Sequence, residues 1–463
     1  MTKQKPAQNV TFYAMIMTPL SFVNLPIGVA LPSFYAENTA ATLAGIGLVI
    51  MYARFFDAAT DPLIGYLSDR TSTRFGSRKP WILAGTFITA IALAFLFNPP
   101  AQSGVAYFAL WSFAFYLGQT CVEIPLKAWG VELSRDAQER SRISSMATMF
   151  TIVGSLIFWL TPILLYKVTG TTAITGSTFT TISWLFAAVL PLVVFLAVRF
   201  VPRGERLASG QSNLLGAFAA IAKNAPARYF YAAQGLWLIG NGVFMAVIYI
   251  FMSQYLKIEA YFAFIMIAYF VVQVIAVPIW LRLIYRFGKR RCWAASWILH
   301  PLASCAVLFI PPGPDAFAPA LILVVFTASL AAGALTMPMA VLGDVIDYDT
   351  LKTGVNRSAN YFAFSNILTK SGIALGYGVA LPLLAAFGFE WGQPVEGLAK
   401  TGLFIVYLGV PGVFSTLAGL MVLNFPLHEQ RHAIVARRLE ARSARMLRDA
   451  AIVSAATGEA RTA

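Results

Sequence analysis

The sequence predicts an all-α membrane protein of twelve transmembrane helices arranged as two six-helix bundles. Three observations carry that prediction. Of 463 residues, 58% are hydrophobic and only 12% charged, unlike an ordinary soluble domain. Apolar runs long enough to cross a bilayer recur along the whole chain. One pattern also returns 212 positions later, as RFGSRKPW at 74–81 and RFGKRRCW at 286–293. The same shift takes Glu132 to Asp344, each opening a charged stretch. A repeat of this size in one orientation predicts two bundles related by an axis along the membrane normal, with substrate held between them.

The expected helices of the first bundle are α1 (11–36), α2 (42–69), α3 (79–98), α4 (104–132), α5 (143–167) and α6 (177–202). Those of the second are α7 (227–254), α8 (259–284), α9 (291–311), α10 (315–343), α11 (358–388) and α12 (400–426). A polar start precedes α1, which carries Pro19, Pro26 and Pro32 around Asn24; such prolines kink a membrane helix where the freed carbonyls face protein. Helix α2 holds two acids and ends in a basic loop, α4 holds the polar cluster Gln119, Thr120, Glu123 and Lys127, and α11 holds Lys370. Residues 1–202 are the first bundle, 203–226 a cytoplasmic linker, and 227–426 the second bundle. In 427–463, basic residues alternate with Ile, Val, Leu and Met, which reads as an amphipathic helix on the inner leaflet followed by a disordered end.

Charge placement sets the orientation. Arg54, Lys127 and Lys370 are embedded, while Lys167, Lys257 and Lys400 fall in one set of loops. The rest of the 34 Lys and Arg lie in the other set and the termini, which places both ends in the cytoplasm. The net charge of +14 therefore reads as topology and contact with anionic lipid, not as nucleic-acid binding. The first apolar run is too long for a cleavable signal. Cys121, Cys292 and Cys305 are odd in number and lie in apolar runs, so no disulfide framework is expected. Of the histidines, only His300 falls in a span; His428 and His432 lie in the tail.

The chemistry concentrates in α2. Asp57 and Asp61 are four residues apart, share one helical face, and sit about a third of the way in from the basic end. Ionisable groups at that depth cost ~3 kcal/mol each on insertion scales. A bound cation or proton would relieve both penalties; the plainer alternative is an ion pair between Asp57 and Arg54, three residues back. The repeat favours a site, since the basic loops recur but Asp57 and Asp61 map to Tyr269 and Gln273. The recurring charges (Arg74, Arg78, Arg140 and Glu132 in the first half, Arg286 and Asp344 in the second) read instead as salt bridges holding the cytoplasmic side closed.

Residues 54–81, RFFDAATDPLIGYLSDRTSTRFGSRKPW, resemble the signature of the glycoside–pentoside–hexuronide cation symporters, a branch of the major facilitator superfamily. EIPLKAWGVELSRDAQERSR, GDVIDYDTLKTGVNRS and ILTKSGIALG agree, so the resemblance covers both halves. It implies the major facilitator fold and a coupling cation, Na⁺, H⁺ or Li⁺, held by Asp57 and Asp61 with Thr120. Thr60 stands where the family often has asparagine, and its hydroxyl is a further candidate ligand. Glu123 resembles the family's sugar-binding acid. Lys127 replaces a tryptophan, Thr148 an arginine, and the family's α1 aspartate is absent, with Ser21 near its place and Asn24 the closest polar substitute. Glu123 and Lys127 either neutralise each other or divide the substrate, Lys127 meeting an anionic group and Glu123 the sugar hydroxyls. Lys370, kept from the family, is a candidate partner of the acid pair and a substrate contact. Trp129, Tyr361 and Phe362 are candidates to stack on a sugar ring.

The resemblance thus implies a cation-coupled symporter of a sugar, glycoside or glycoside-derived acid, without an organic cofactor. The expectation is a monomer in the bacterial cytoplasmic (inner) membrane, in contact with lipid. The alternatives are a transporter of an amphiphile such as a lysophospholipid, which animal relatives carry, and a non-transporting receptor on the same fold. An enzyme is not expected: the chain lacks G-x-S-x-G, H-E-x-x-H and paired intramembrane histidines.

Overall fold

A computed structural model describes residues 10–134, 136–203, 218, 221–355 and 357–427, with 431, 434, 435, 437–442, 444, 445 and 448 of the tail. The polar start, most of the linker, His428, His432 and the chain end lie outside the described residues. Among the described residues, twelve helices are long and apolar enough to span a membrane: α1 Val10–Val29, α2 Leu43–Arg70, α3 Lys79–Phe97, α4 Val105–Glu132, α5 Gln138–Thr169, α6 Gly176–Phe200, α7 Ala225–Tyr255, α8 Glu259–Phe287, α9 Lys289–Phe309, α10 Pro314–Thr353, α11 Asn360–Ala386 and α12 Gly397–Leu423. This is an integral membrane protein.

The ends differ from expectation where apolarity and helicity part company. Helix α1 breaks at Ala30, with Pro32 opening a separate short helix, Leu31–Asn38. Helix α10 keeps the charged DVIDYDTLKT in helical form and stops only at Gly354, whose φ of 75° is the left-handed turn that glycine adopts without strain. Helix α5 begins before the apolar run because Asp136 caps it, accepting from the Gln138 N–H at 2.8 Å. Hydropathy marks the part of a helix that lipid touches, not where its hydrogen bonds end.

One large core runs through α1–α6 and the far ends of α7–α12; a second lies near the termini in the last six helices. The two halves join at the end remote from the termini. There Tyr377 on α11 donates to the Gly28 carbonyl, Thr172 to Ala260, and Tyr249 to Ile174 at 3.4 Å, while the Trp159 ring meets Phe262 at 5.6 Å. Helix α11 lies directly along α2: a Cβ on Gly47 would stand 2.8 Å from Leu381 Cβ and 2.9 Å from the Tyr377 carbonyl. From that end, polar contacts between the halves reach as far as the Lys370 ion pairs to Asp57 and Asp61.

This close approach gives a test. Gly47→Leu should prevent the far end from closing, because the Tyr377 carbonyl is main chain and cannot swing aside. With Cys305 replaced by serine, a cysteine at Leu384, fully buried near that end, should react severalfold faster with an impermeant maleimide added opposite the termini. Unchanged reactivity in the Gly47→Leu variant would show that the contact does not control closure.

The described part of the tail packs partly on the second half. Val435 is buried and Leu439 half-buried against the second core, and the Arg442 guanidinium lies beside Gly354 at the end of α10. Ile434, by contrast, is exposed.

Candidate ion and substrate site

Helix periodicity brings the site together. Arg54, Asp57 and Asp61 fall at i, i+3 and i+7 on α2, and Tyr116, Thr120 and Glu123 at i, i+4 and i+7 on α4. These two faces meet, and α11 adds Lys370 from the other half. Thr120 Oγ1 donates to Asp57 Oδ1 at 2.5 Å. Lys370 Nζ bridges both acids, 2.9 Å from Asp57 Oδ2 and 2.6 Å from Asp61 Oδ2. The side chains of Asp57, Asp61 and Lys370 are 6%, 9% and 13% exposed, so the exchange of charge is shielded from bulk water.

Two carboxylates share one ammonium, and the second oxygen of Asp61, Oδ1, is buried without a hydrogen-bond partner. Pro62 follows and has no N–H to give the Ala58 carbonyl, so a main-chain oxygen one residue from Asp57 is also spared. Oxygen-only donors of this kind suit a hard cation. Among the described residues, no group of three or more His, Cys, Asp or Glu is assembled for a tightly bound metal. The arrangement can hold one small cation, or a proton, where Lys370 now sits.

The other expected residues divide. Thr60 donates to the Asp57 carbonyl at 3.0 Å, so its hydroxyl is tied along its own helix. Arg54 forms no ion pair with Asp57; its guanidinium lies over the Tyr116 ring at 4.8 Å, and Nε is buried without a partner. Tyr116 is the residue sequence reasoning passed over, although it lies one turn before Thr120. Glu123 and Lys127 pair with each other at 2.6 Å, Lys127 half-exposed. On α1, Asn24 donates back to the Leu20 carbonyl at 2.9 Å.

Three aromatic expectations meet different surroundings. Trp129 is fully buried, its ring edge-on to Tyr13, the Lys79 ammonium over it at 5.2 Å, and Nε1 donating to Pro202. It is part of the packing at the terminal end, not a platform for a ring. Tyr361 is likewise buried, accepting from Asn224 at 2.8 Å while its carbonyl accepts from Tyr231 at 2.7 Å. Phe362 is exposed.

The recurring charges tie helices within each half. Arg78 donates to Glu132 from Nε at 3.0 Å and from Nη2 at 2.7 Å, to Ser68 at 2.8 Å, and meets Asp69 at 2.5 Å. Burial works against the Arg78 charge, yet the hydrogen bonds and charges of Glu132 and Asp69 outweigh it and raise its pKa above the ordinary arginine value. In the second half Lys289 takes this part, meeting Asp344 at 2.7 and 2.9 Å. Arg74 and Arg286 do not join these clusters: each lies over the phenylalanine that follows it, at 4.8 and 5.3 Å. Arg140 is half-buried in the first turn of α5. The repeat shift equates Ser77 with Lys289, so matching identical residues hid the lysine that pairs.

A family model described as MFS/sugar transport protein matches residues 12–429. The isoprimeverose transporter of Lactiplantibacillus pentosus is 24% identical, covering 86% of this chain and 86% of its own. The sodium-dependent lysophosphatidylcholine symporter 1-A of Danio rerio is 22% identical over 92% of this chain and 87% of its own. Among solved structures, nucleoside transporter NupG superposes with a TM-score of 0.63 at 14% identity, covering 90% of this chain and 98% of that one. At that identity the likeness speaks for the fold alone.

Proposed function

The chain belongs to the MFS/sugar transport protein family, and from that premise we propose that it is a cation-coupled symporter of a sugar, glycoside or glycoside-derived acid. The observation that carries the reading is the Lys370 bridge to Asp57 and Asp61, which joins the two halves through charge. A Na⁺ or H⁺ entering between the acids takes over the work of the ammonium and frees α11 from α2. Occupancy of the site then changes the tie between halves, which is what coupling requires. By linkage, a substrate that binds better when the cation is present must also tighten cation binding by the same factor. Glu123 and Lys127, on the α4 face that continues past Thr120, are the groups placed to meet the substrate.

The Danio rerio relative supplies the second reading, an amphiphile whose zwitterionic head pairs with Glu123 and Lys127. Proteoliposomes decide between them. Labelled methyl β-D-glucopyranoside, methyl β-D-glucuronide and lysophosphatidylcholine would be offered with an imposed Na⁺ or pH gradient. Uphill accumulation of a glycoside that collapses with the gradient is expected. Accumulation of the lysolipid alone would replace the sugar reading with the amphiphile one, and entry indifferent to both gradients would remove coupling.

A further inference from the structure

Inside the last six helices lies a cavity of about 180 Å³, bounded by α7, α8, α9, α10 and α12. Its walls are aromatic: Trp237, Phe244, Tyr269, Phe270, Trp297 and Tyr407. Among the described residues, no Asp, Glu, Lys or Arg lines it, yet Asn241, Gln273, His300 and Ser415 do. The repeat gives the cavity meaning. Asp57 and Asp61 correspond to Tyr269 and Gln273, and Glu123 to Leu335, all three of which line it. The place that is charged in the first half is neutral and aromatic in the second.

Depth is fixed by packing. Leu238 of α7 lies against Gly372 of α11, and Gly242 against Ile373 and Gly376. Lys370 therefore stands level with the α7 stretch that supplies Trp237 and Asn241. One face of α7 packs on the helix carrying the ammonium, and another lines the cavity. Helix α12 opens into a π-turn at Ile405–Gly409, which carries Tyr407 to the wall, stacked on Phe251 at 4.0 Å. Such turns recur at functional sites.

Resting on the symport reading above, we propose that this cavity is a subsite for one uncharged sugar ring of the transported glycoside. An apolar cavity of about 150 Å³ accepts a benzene, so this one has the size of a single six-membered ring. Aromatic walls suit the C–H faces of a pyranose, and neutral amide and hydroxyl groups suit its hydroxyls. Trp297 is 1% exposed and its Nε1–H has no hydrogen-bond partner, a costly state that a sugar oxygen relieves. The side chains of Asn241 and Ser415 hydrogen-bond no other described residue. An alkyl chain would leave all of these unmet, and a charged group would find no counter-charge.

The test uses the full chain in proteoliposomes made without sugar-based detergent, with labelled methyl β-D-glucopyranoside as probe. Asn241→Leu keeps the side-chain volume but removes its hydrogen bonds. Gly412→Val fills space at the cavity wall, where an added Cβ would have its nearest neighbour 3.7 Å away. Each is expected to raise KM about tenfold, the equivalent of one to two lost hydrogen bonds, while the cation concentration giving half-maximal thermal stabilisation stays as in the wild type. A wild-type KM in both variants, with gradient-driven uptake intact, overturns the subsite and leaves the symport reading standing. Absence of uphill glycoside uptake in the wild type overturns the symport reading itself. If the variants instead weaken only lysophosphatidylcholine binding, the cavity holds an alkyl chain and the sugar assignment falls.

Discussion

Cation-stimulated uptake is expected to fall by roughly a thousandfold at limiting cation in Asp57→Asn and in Asp61→Asn, with the protein still folded in the membrane. In the wild type two carboxylates face one ammonium, and the surplus negative charge is what draws a cation in. Asparagine is nearly isosteric, and its carbonyl still accepts from Thr120 or Lys370, so the packing of α2, α4 and α11 is retained. The charge balance is not. One carboxylate against one ammonium is neutral without any ion, and a unit charge about 4 Å away at an effective dielectric constant of 20 is worth about 4 kcal/mol. That corresponds to about three decades of affinity. Thr120→Val, which removes one hydrogen bond, should cost about tenfold or less. The measurement is initial uptake as a function of cation concentration. Half-saturation unchanged in both asparagine variants would mean that the cation binds elsewhere and the pair serves only to hold Lys370.

How much of this was legible in the sequence follows from what each signal measures. Twelve spans and their order come from hydropathy and length, which the bilayer itself enforces, and the structure returns them within a few residues except at the helical end of α10, the broken end of α1 and the early start of α5. The acid pair was visible because charge is rare inside a span. Its partner in α2, Arg54, was the near neighbour by sequence, but the guanidinium prefers the face of Tyr116, and the ammonium that meets the acids lies 309 positions from Asp61. Contacts across that distance are set by how two halves pack, which no local spacing reports. Trp129 illustrates the same limit, since a tryptophan in a polar stretch of α4 reads as a stacking platform until Tyr13 and Lys79 are seen to cover it. The cavity of the second half left no motif at all. Its only trace was the loss of charge at the repeat positions of Asp57 and Asp61, a signal first read as absence.

Lys370→Met is expected to make stability depend on the coupling ion to a degree that the wild type does not show. Removing the ammonium leaves two buried carboxylates facing each other, and breaking a buried pair by deleting one member costs about 3–5 kcal/mol. A cation able to occupy the same position restores the missing charge. At a hundred times its dissociation constant it returns about 2.7 kcal/mol. The variant should therefore melt well below the wild type in choline buffer and recover most of that loss in sodium, whereas the wild type, whose own ammonium competes for the position, shifts less. Lys370→Arg keeps the charge and should respond like the wild type. If the coupling ion is a proton, recovery follows acidification and sodium has no effect, so one melting series separates the two ions. A purely structural lysine makes a different prediction: the same loss in choline and sodium, with the recovery in acid that any pair of bared carboxylates shows but no uptake driven by an imposed pH gradient. That result would detach Lys370 from the cation site. The ion pair between α2 and α11 would then be a fixed brace between the halves, and the tie that cation entry is proposed to release would have to lie elsewhere in the contact between them.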